Sequence, residues 1–205
     1  MSKVDEALDG WGKKRYKVIY ADPPWTYSCW SKKGEGRTAQ SHYDVMSIDD
    51  ICDMDVESIS EDDSVCVMWV TFPLLNEGLR VLKEWGFTYK TVPFVWIKTK
   101  KSQDLNQTHF SPVDIIHDKM GMGYYTRANA EMCILGVKGK GLRVLSHSVR
   151  QACISNIREH SRKPDDVRDR IVELFGDVPR IELFSRTITK GWDVFGNELE
   201  KYGGE

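Results

Sequence analysis

Residues 17–25, KVIYADPPW, are an apolar run that stops at two prolines. The β-branched and aromatic residues at the start of this run are typical of a strand. Pro23 and Pro24 end the strand, because proline has a fixed φ and lacks the N–H group that pairing in a sheet requires. Asp22 is therefore expected at the carboxyl end of a strand, where open α/β sheets place their ligands.

Further strands are predicted along the rest of the chain. Residues 64–71 (SVCVMWVT) form a continuous apolar run, as expected of a strand that is covered on both faces. Residues 87–98 are rich in β-branched and aromatic side chains, and residues 131–137 and 180–184 have the same character. The sequence therefore indicates several buried strands besides the one that precedes Asp22.

Helices are predicted between these strands. Ser47 has the position of a helix cap, and residues 75–82 repeat leucine at helical spacing before Gly86 ends the pattern. Pro164 and the acidic residues after it open another helix, which Gly176 ends. The apolar stripe of this last helix is Val167, Ile171, Leu174 and Phe175. The alternation of strands and helices predicts a single α/β domain over residues 1–205 with a doubly wound sheet.

The composition is that of a globular protein, with 205 residues, 40% hydrophobic residues and a net charge of −2. No stretch approaches the roughly 20 apolar residues that span a bilayer, and the polar N-terminus does not resemble a signal peptide. We therefore expect a cytoplasmic protein without a membrane partner. The five cysteines and five histidines lack the spacing of ligand sets, so neither disulfides nor a metal are expected.

The segment from Asp22 to Trp25 offers the groups that methylation of an exocyclic amine requires. The lone pair of such an amine is delocalised into the ring, and two acceptors on its two N–H bonds can direct the pair toward a methyl group. The Asp22 carboxylate and the Pro23 carbonyl can be these acceptors. Pro24 fixes the backbone geometry, and Trp25 offers a face on which a base can stack. We therefore predict that these four residues are catalytic.

Several motifs elsewhere in the chain occur together with this tetrapeptide. They are residues 96–98 (WIK), 123–127 (GYYTR), Glu131, 136–139 (GVKG), 161–164 (SRKP), 182–186 (ELFSR) and 191–198 (GWDVFGNE). With residues 21–25, this set resembles the MT-A70 family of S-adenosylmethionine-dependent adenine methyltransferases over about residues 16–198. The resemblance implies a circularly permuted Rossmann-like class I methyltransferase fold with a mostly parallel sheet.

The resemblance also implies a cofactor, S-adenosylmethionine, with S-adenosylhomocysteine as the product and no metal. Lys163, beside a helix N-terminus that also favours anions, is expected to bind the carboxylate of the cofactor. Asp22 is expected to bind its ammonium group, and Glu182 is expected to orient Arg186. The residues expected on the ribose hydroxyls are Arg186, Asn197 and Glu198, within a cofactor block at residues 161–198.

The predicted partner is nucleic acid, whose target base must leave the stack to reach Asp22. The loops at residues 26–46 and 99–127 follow predicted strand ends, so we expect them to close over the base. The basic residues there that can contact phosphates are Lys32, Lys33, Arg37, Lys98 and Arg127. The aromatic and histidine residues that can contact bases or sugars are Tyr27, His42, Tyr43 and Tyr124.

The predicted nucleic acid is DNA rather than RNA, because residues 187–190 (TITK) and Glu198 resemble bacterial and phage members more than the messenger-RNA enzymes. Three alternatives stay open at this point. The chain could methylate adenosine in RNA, methylate another planar amine, or be an inactive partner subunit that binds nucleic acid. The sequence does not decide between a monomer and a homodimer.

Overall fold

The fold is given by a computed structural model, which describes residues 14–26, 46–99, 121, 123–158 and 162–196. Seven strands form one sheet in the order β5-β3-β4-β2-β1-β6-β7. The strands are β1 (Tyr16–Ala21), β2 (Ser60–Val70), β3 (Thr88–Thr99), β4 (Ala130–Lys138), β5 (Ala152–Asn156), β6 (Arg180–Leu183) and β7 (Asp193–Phe195).

The sheet is mixed, because β4 runs antiparallel to both of its neighbours, β2 and β3. The remaining pairings, β1 with β2, β1 with β6, β3 with β5 and β6 with β7, are parallel. The carboxyl ends of the parallel strands therefore meet at one edge of the sheet, together with the amino end of β4. This edge brings side chains from distant parts of the sequence together.

The described helices are α1 (Ile48–Cys52), α2 (Leu75–Glu84) and α3 (Asp166–Phe175), and a 3₁₀ turn at Phe72–Leu74 precedes α2. Ser47 caps α1, since its hydroxyl accepts a hydrogen bond of 3.0 Å from the Asp50 amide. Gly176 ends α3 with a φ of 83°, which glycine adopts without steric cost. Within the described residues, no helix is long and apolar enough to cross a membrane.

Helices cover both faces of the sheet. On one face, Ile51 of α1, Leu82 of α2 and Trp85, which directly follows α2, pack in a core that includes Ile19 and Met68. On the other face, α3 packs on the side chains of the alternate positions of the strands. The residues of this second core include Tyr20, Trp69, Trp96, Cys133, Val167, Ile171 and Phe175. The alternation arises because successive side chains of a strand point to opposite faces.

The sequence predictions of strands at β1, β2, β3, β4 and β6 are confirmed, as are α2 and α3. The short edge strands β5 and β7 were not predicted, because neither has a long apolar run. Leu174, which the sequence places in the buried stripe of α3, is only partly buried. The predicted α/β class is correct, but the antiparallel β4 makes the sheet mixed.

Candidate active site

Asp22 follows β1 directly and lies at the carboxyl edge of the sheet. The backbone after it is held by hydrogen bonds, since the Trp25 amide donates to the Pro23 carbonyl at 2.8 Å and the Met46 amide donates to the Pro24 carbonyl at 3.1 Å. Neither proline has an N–H group that could compete for these acceptors. The Pro23 carbonyl keeps a second lone pair for another donor.

Trp25 points away from solvent, with 8% of its surface exposed. Its indole nitrogen donates a hydrogen bond of 3.1 Å to the Trp69 carbonyl, and its backbone forms a parallel bridge with Met46. The ring packs in the core on the side of α1 and α2. This geometry favours a role in fixing the turn after β1 over the base stacking that the sequence predicts.

A chain of alternating charges connects Asp22 with the ends of β3 and β4. The Lys163 ammonium lies 2.9 Å from Oδ1 of Asp22 and 3.4 Å from Oε2 of Glu131. The other oxygen of Glu131 accepts a hydrogen bond from Lys98. Two lysines and two carboxylates thus share this edge, and the charges compensate one another.

The buried positions of these groups change their acidities. Burial alone would raise the pKa of Glu131, but the ammonium groups of Lys163 and Lys98 hold that pKa at about 2. Burial raises the pKa of Asp22 above its ordinary value, and the attraction of Lys163 opposes this only in part. Asp22 is therefore harder to ionise than Glu131, although both contact the same lysine.

Aromatic rings lie beneath the two lysines. The Lys163 ammonium lies 5.7 Å from the centre of the Trp69 ring, and the Lys98 ammonium lies 4.8 Å from that of Trp96. Such cation–π contacts stabilise a charge that has lost part of its hydration. The Trp69 indole also donates a 2.5 Å hydrogen bond to the Tyr20 hydroxyl, which fixes this aromatic layer.

An open pocket of about 400 Å³, a volume that includes its mouth, lies beside Asp22 between the N-terminus of α3 and the end of β6. Its lining residues are Asp22, Arg162, Lys163, Asp165, Arg168, Glu182, Phe184, Arg186 and Thr187. The lining combines cationic and anionic side chains. It therefore fits a zwitterionic ligand such as the methionine part of S-adenosylmethionine, whose carboxylate and ammonium both need partners.

Glu182 is the least exposed charged residue in the lining of this pocket, with 5% of its surface accessible. Both of its carboxylate oxygens accept hydrogen bonds from Arg168, from Nε and from Nη2, each at 2.7 Å. The sequence predicts that Glu182 orients Arg186, which stays a prediction, and the structure adds Arg168 as a partner of Glu182. Arg186 lines the same pocket.

The structure brings together four of the residues that the sequence predicts for the cofactor, namely Asp22, Lys163, Glu182 and Arg186. Asn197 and Glu198 lie outside the described residues. The predicted substrate residues that also lie outside them are Tyr27, Lys32, Lys33, Arg37, His42 and Tyr43.

The other three predicted substrate residues are described. Lys98 is paired with Glu131, so its ammonium already has a carboxylate partner at the edge of the sheet. Tyr124 and Arg127 are exposed in the segment that leads into β4, where Glu131 begins the contacts with the lysines. This segment has a tight turn, in which Tyr125 adopts a φ of 61°. The turn leaves the Tyr124 and Arg127 side chains accessible to a ligand.

The sequence analysis included Glu131 in the motif set but assigned no role to it or to Arg168. A role for Glu131 could have been found, because it is an acidic residue at the start of an apolar strand. Arg168 gave no such signal, since an arginine in the first turns of a helix is typical of a solvated surface. Its contact with Glu182 joins α3 to β6, and local sequence signals do not report such a tertiary contact.

Comparisons with known proteins identify the family of the chain. The MT-A70 family model matches residues 16–198. The Type II methyltransferase M.MunI of Mycoplasma sp is 32% identical over 97% of this chain and 84% of its own length. The catalytic subunit METTL3 of the human N(6)-adenosine-methyltransferase is 24% identical over 91% of this chain, which spans 28% of that protein. A Drosophila melanogaster N(6)-adenosine-methyltransferase MT-A70-like protein is 26% identical over 91% of the chain and 27% of its own length. The chain therefore belongs to the MT-A70 family of adenine methyltransferases.

Proposed function

We propose that this protein transfers the methyl group of S-adenosylmethionine to the 6-amino group of adenine in DNA. The observation that carries the proposal is the position of the Asp22 carboxylate. It lies at the carboxyl edge of the sheet, 2.9 Å from the Lys163 ammonium, and lines the pocket between α3 and β6. An acceptor for an amine thus borders directly on a pocket of suitable charge for the methyl donor.

The choice of DNA rests on similarity. M.MunI is 32% identical to this chain over the matched region. The Drosophila melanogaster and human adenosine methyltransferases are 26% and 24% identical, and the chain spans only 27% and 28% of their lengths. A Type II methyltransferase is therefore the better guide to the substrate.

The adenine amine is activated by acceptors that the chain provides. Asp22 and the Pro23 carbonyl each accept one N–H of the amine, so that the nitrogen lone pair turns toward the methyl group. Both acceptors stabilise the positive charge that develops on nitrogen, and fixed groups of this kind contribute roughly 3–4 kcal/mol each. Pro24 and Trp25 keep these acceptors in place through their bonds to Met46 and Trp69.

The cofactor is held by the residues of the pocket. Lys163 and Arg186 offer positive charge to its carboxylate and hydroxyl oxygens, while Asp22 and Glu182 offer acceptors to its ammonium and hydroxyl hydrogens. Asn197 and Glu198 complete the set in our proposal. When bound, the cofactor supplies an electrophilic methyl group on a sulfonium, and the protein supplies orientation.

The target adenine reaches Asp22 after leaving the base stack, which costs a few kcal/mol. Tyr124 and Arg127 are exposed next to the start of β4 and are suited to contact the strand there. Exposed arginine contacts phosphates without reading sequence, while an exposed tyrosine can stack on a base.

The order of the strands supports a circular permutation of the class I methyltransferase fold. The catalytic strand β1 comes first in the chain, whereas the strands β6 and β7 beside the cofactor pocket come last. Nevertheless β6 pairs directly with β1. We further propose that residues 1–205 form one domain and that the protein acts in the cytoplasm.

The proposal is tested by incubating the protein with radiolabelled S-adenosylmethionine and, separately, with duplex DNA, single-stranded DNA and RNA of matched sequence. We expect label in DNA and little in RNA. Labelling of RNA alone would show that the polymer is wrong while the chemistry is right.

Two variants serve as controls for whether labelling depends on the Asp22 carboxylate. Asp22→Asn keeps the size of the side chain but removes its charge, so labelling should fall strongly. Asp177→Asn changes an exposed aspartate that pairs with Arg180, and labelling should be unchanged. If the unaltered protein binds the cofactor but labels none of the three polymers, the proposed activity is wrong.

A further inference from the structure

We propose that Arg168 is a positioning residue, which keeps the Glu182 carboxylate ionised and fixed in one orientation for the cofactor. The inference deepens the proposed function and rests on it. Arg168 is not expected to touch the transferred methyl group. It acts on the cofactor through Glu182, and its contribution should therefore depend on that residue being present.

All three guanidinium nitrogens of Arg168 donate hydrogen bonds to carboxylates. Its Nε and Nη2 atoms each bind one oxygen of Glu182 at 2.7 Å, and its Nη1 atom binds Oδ1 of Asp165 at 3.0 Å. Its guanidinium carbon lies 5.9 Å from the centre of the Tyr20 ring. The side chains of Arg168 and Glu182 are 11% and 7% exposed, so this pair is screened little by water.

The parallel contacts fix the plane of the carboxylate as well as its position. A guanidinium is a rigid fork that matches a carboxylate at two points, whereas a lysine ammonium is a single point of charge. Each carboxylate oxygen has two lone-pair sites. Arg168 occupies one site on each oxygen and Ser185 hydrogen-bonds the same carboxylate, so a site remains for a ligand in the pocket that Arg168 and Glu182 line.

The surroundings explain why Glu182 depends on this partner. Burial raises the pKa of Glu182, Arg168 lowers it, and the nearby Asp22 carboxylate raises it again. The charged and titratable groups around Glu182 are Arg168 and Asp165 from the α3 segment, Asp22 and Tyr20 from the β1 segment, and Arg162, Lys163 and Arg186 in the pocket. Without the contacts from Arg168, Glu182 would be a buried acid next to another acid.

The consequence is a specific dependence on pH. When Arg168 is replaced by a neutral residue, the pKa of Glu182 rises further, so the acid stays protonated up to a higher pH. A protonated Glu182 is a weaker acceptor for the ammonium and hydroxyl groups of the cofactor. Cofactor binding by the variant should therefore weaken as the pH falls, over a range in which the unaltered protein keeps its affinity.

The test measures binding of S-adenosylhomocysteine by calorimetry between about pH 6 and about pH 9, a range that covers a strongly raised carboxyl pKa. Arg168→Met should weaken binding by roughly tenfold at the low end and by less at the high end. Arg168→Lys keeps the charge but not the fork, so we expect an intermediate loss with little dependence on pH. Arg170→Met is the matched control, because Arg170 lies on the same helix but binds Asp166 and backbone carbonyls at β5 instead.

A double-mutant cycle separates positioning from direct contact or general stability. If Arg168 acts through Glu182, Arg168→Met should cost little further affinity in a Glu182→Gln background. The double variant removes both charges and leaves no unpaired buried carboxylate. Its affinity can therefore be compared with that of Glu182→Gln even if Arg168→Met alone fails to fold. Equal losses in both backgrounds, without a new dependence on pH, would overturn the inference. Absence of binding by the unaltered protein would instead contradict the proposed function.

Discussion

The two faces of the central strands are both buried, yet they differ in what they carry. The face toward α1 and α2 is packed with aliphatic and sulfur-containing side chains around Trp85, whose indole nitrogen donates to a backbone carbonyl at 2.8 Å. The face toward α3 carries Tyr20 and Trp69, which are joined by a hydrogen bond and lie under Arg168 and Lys163. The ion pairs of Lys163 with Asp22 and of Arg168 with Glu182 thus lie at the edge of the second face.

The comparison explains how the catalytic tetrapeptide divides its tasks. Asp22 extends to the α3 side, where Lys163 and the pocket lie. Trp25 turns to the other side and joins the core with α1 and α2. The prolines between them make this reversal rigid. Substitutions at the two ends should therefore have different effects, one on chemistry and one on stability.

The largest effect is expected for Asp22→Ala. It removes an acceptor that stabilises the developing charge, so the rate of methyl transfer should fall by roughly 10³-fold or more. The free energy of unfolding should change little or increase, because burial already makes the charge of Asp22 unfavourable. Single-turnover rates and urea denaturation of the same variant check both parts. A rate within tenfold of the unaltered protein would contradict the mechanism.

A large loss of stability is expected for Trp25→Ala at the other end of the tetrapeptide. Removal of a buried tryptophan costs roughly 3–5 kcal/mol of the free energy of unfolding. Trp25→Phe keeps most of the packing and loses the hydrogen bond to Trp69, at a cost of about 1 kcal/mol. Urea denaturation measures both. If Trp25→Ala is stable but has a raised KM for DNA, then the ring stacks on the base as the sequence predicts.

A change in pH dependence is expected for Lys163→Met. Lys163 lowers the pKa of Asp22, and without it burial raises that pKa further. The ionised form of Asp22 accepts the amine. As the pH is lowered, activity at saturating cofactor should therefore be lost at a higher pH in the variant than in the unaltered protein. The measurement is kcat across the acidic range. If kcat falls over the same acidic pH range in both proteins, then the ionisation of Asp22 does not determine this fall.

Glu131→Gln should alter stability in acid. The pKa of Glu131 is about 2 in the folded protein, below its ordinary value of 4.5. Its ionised form therefore stabilises the fold above pH 4.5, and this contribution is lost as the pH falls from 4.5 through 2. The difference in unfolding free energy between the two proteins should shrink over that range. A difference that is constant with pH would refute the ion-pair assignment.

The smallest effect is expected on the apolar side, for Ser47→Ala at the start of α1. It removes the side-chain cap and should cost about 1 kcal/mol of unfolding free energy. Methyl transfer should be unchanged at temperatures well below the unfolding transition. Thermal unfolding tests the expected loss of stability, and steady-state rates test whether methyl transfer is unchanged. A loss of rate without a loss of stability would place α1 in the active site.

The sequence predicted the parts of this molecule that depend on neighbouring residues. Strand β1 ends at Ala21, shortly before Pro23, because proline has no N–H group, and α3 ends before Gly176, because glycine adopts a positive φ. The placement of Asp22 at the carboxyl edge followed from the same local reasoning. The roles of Lys163, Asn197 and Glu198 in cofactor binding came from the family resemblance, and all three are still predictions.

The features that were missed depend on contacts across the sheet. The antiparallel direction of β4 is not visible in its apolar run, since both directions bury the same side chains. It is this direction that brings Glu131 to the edge where Lys163 lies. The burial of Trp25 was likewise not predicted, because it depends on tertiary packing in the core with α1 and α2 and on the Trp69 carbonyl of another strand.

The most direct test of the central claim is to identify the methylated atom. Duplex DNA treated with the protein and labelled S-adenosylmethionine is digested to nucleosides, which are separated and analysed by mass spectrometry. The account predicts the label on N6 of deoxyadenosine, with its loss in Asp22→Asn. Label on deoxycytidine, or on deoxyadenosine at an undiminished rate in Asp22→Asn, would contradict it.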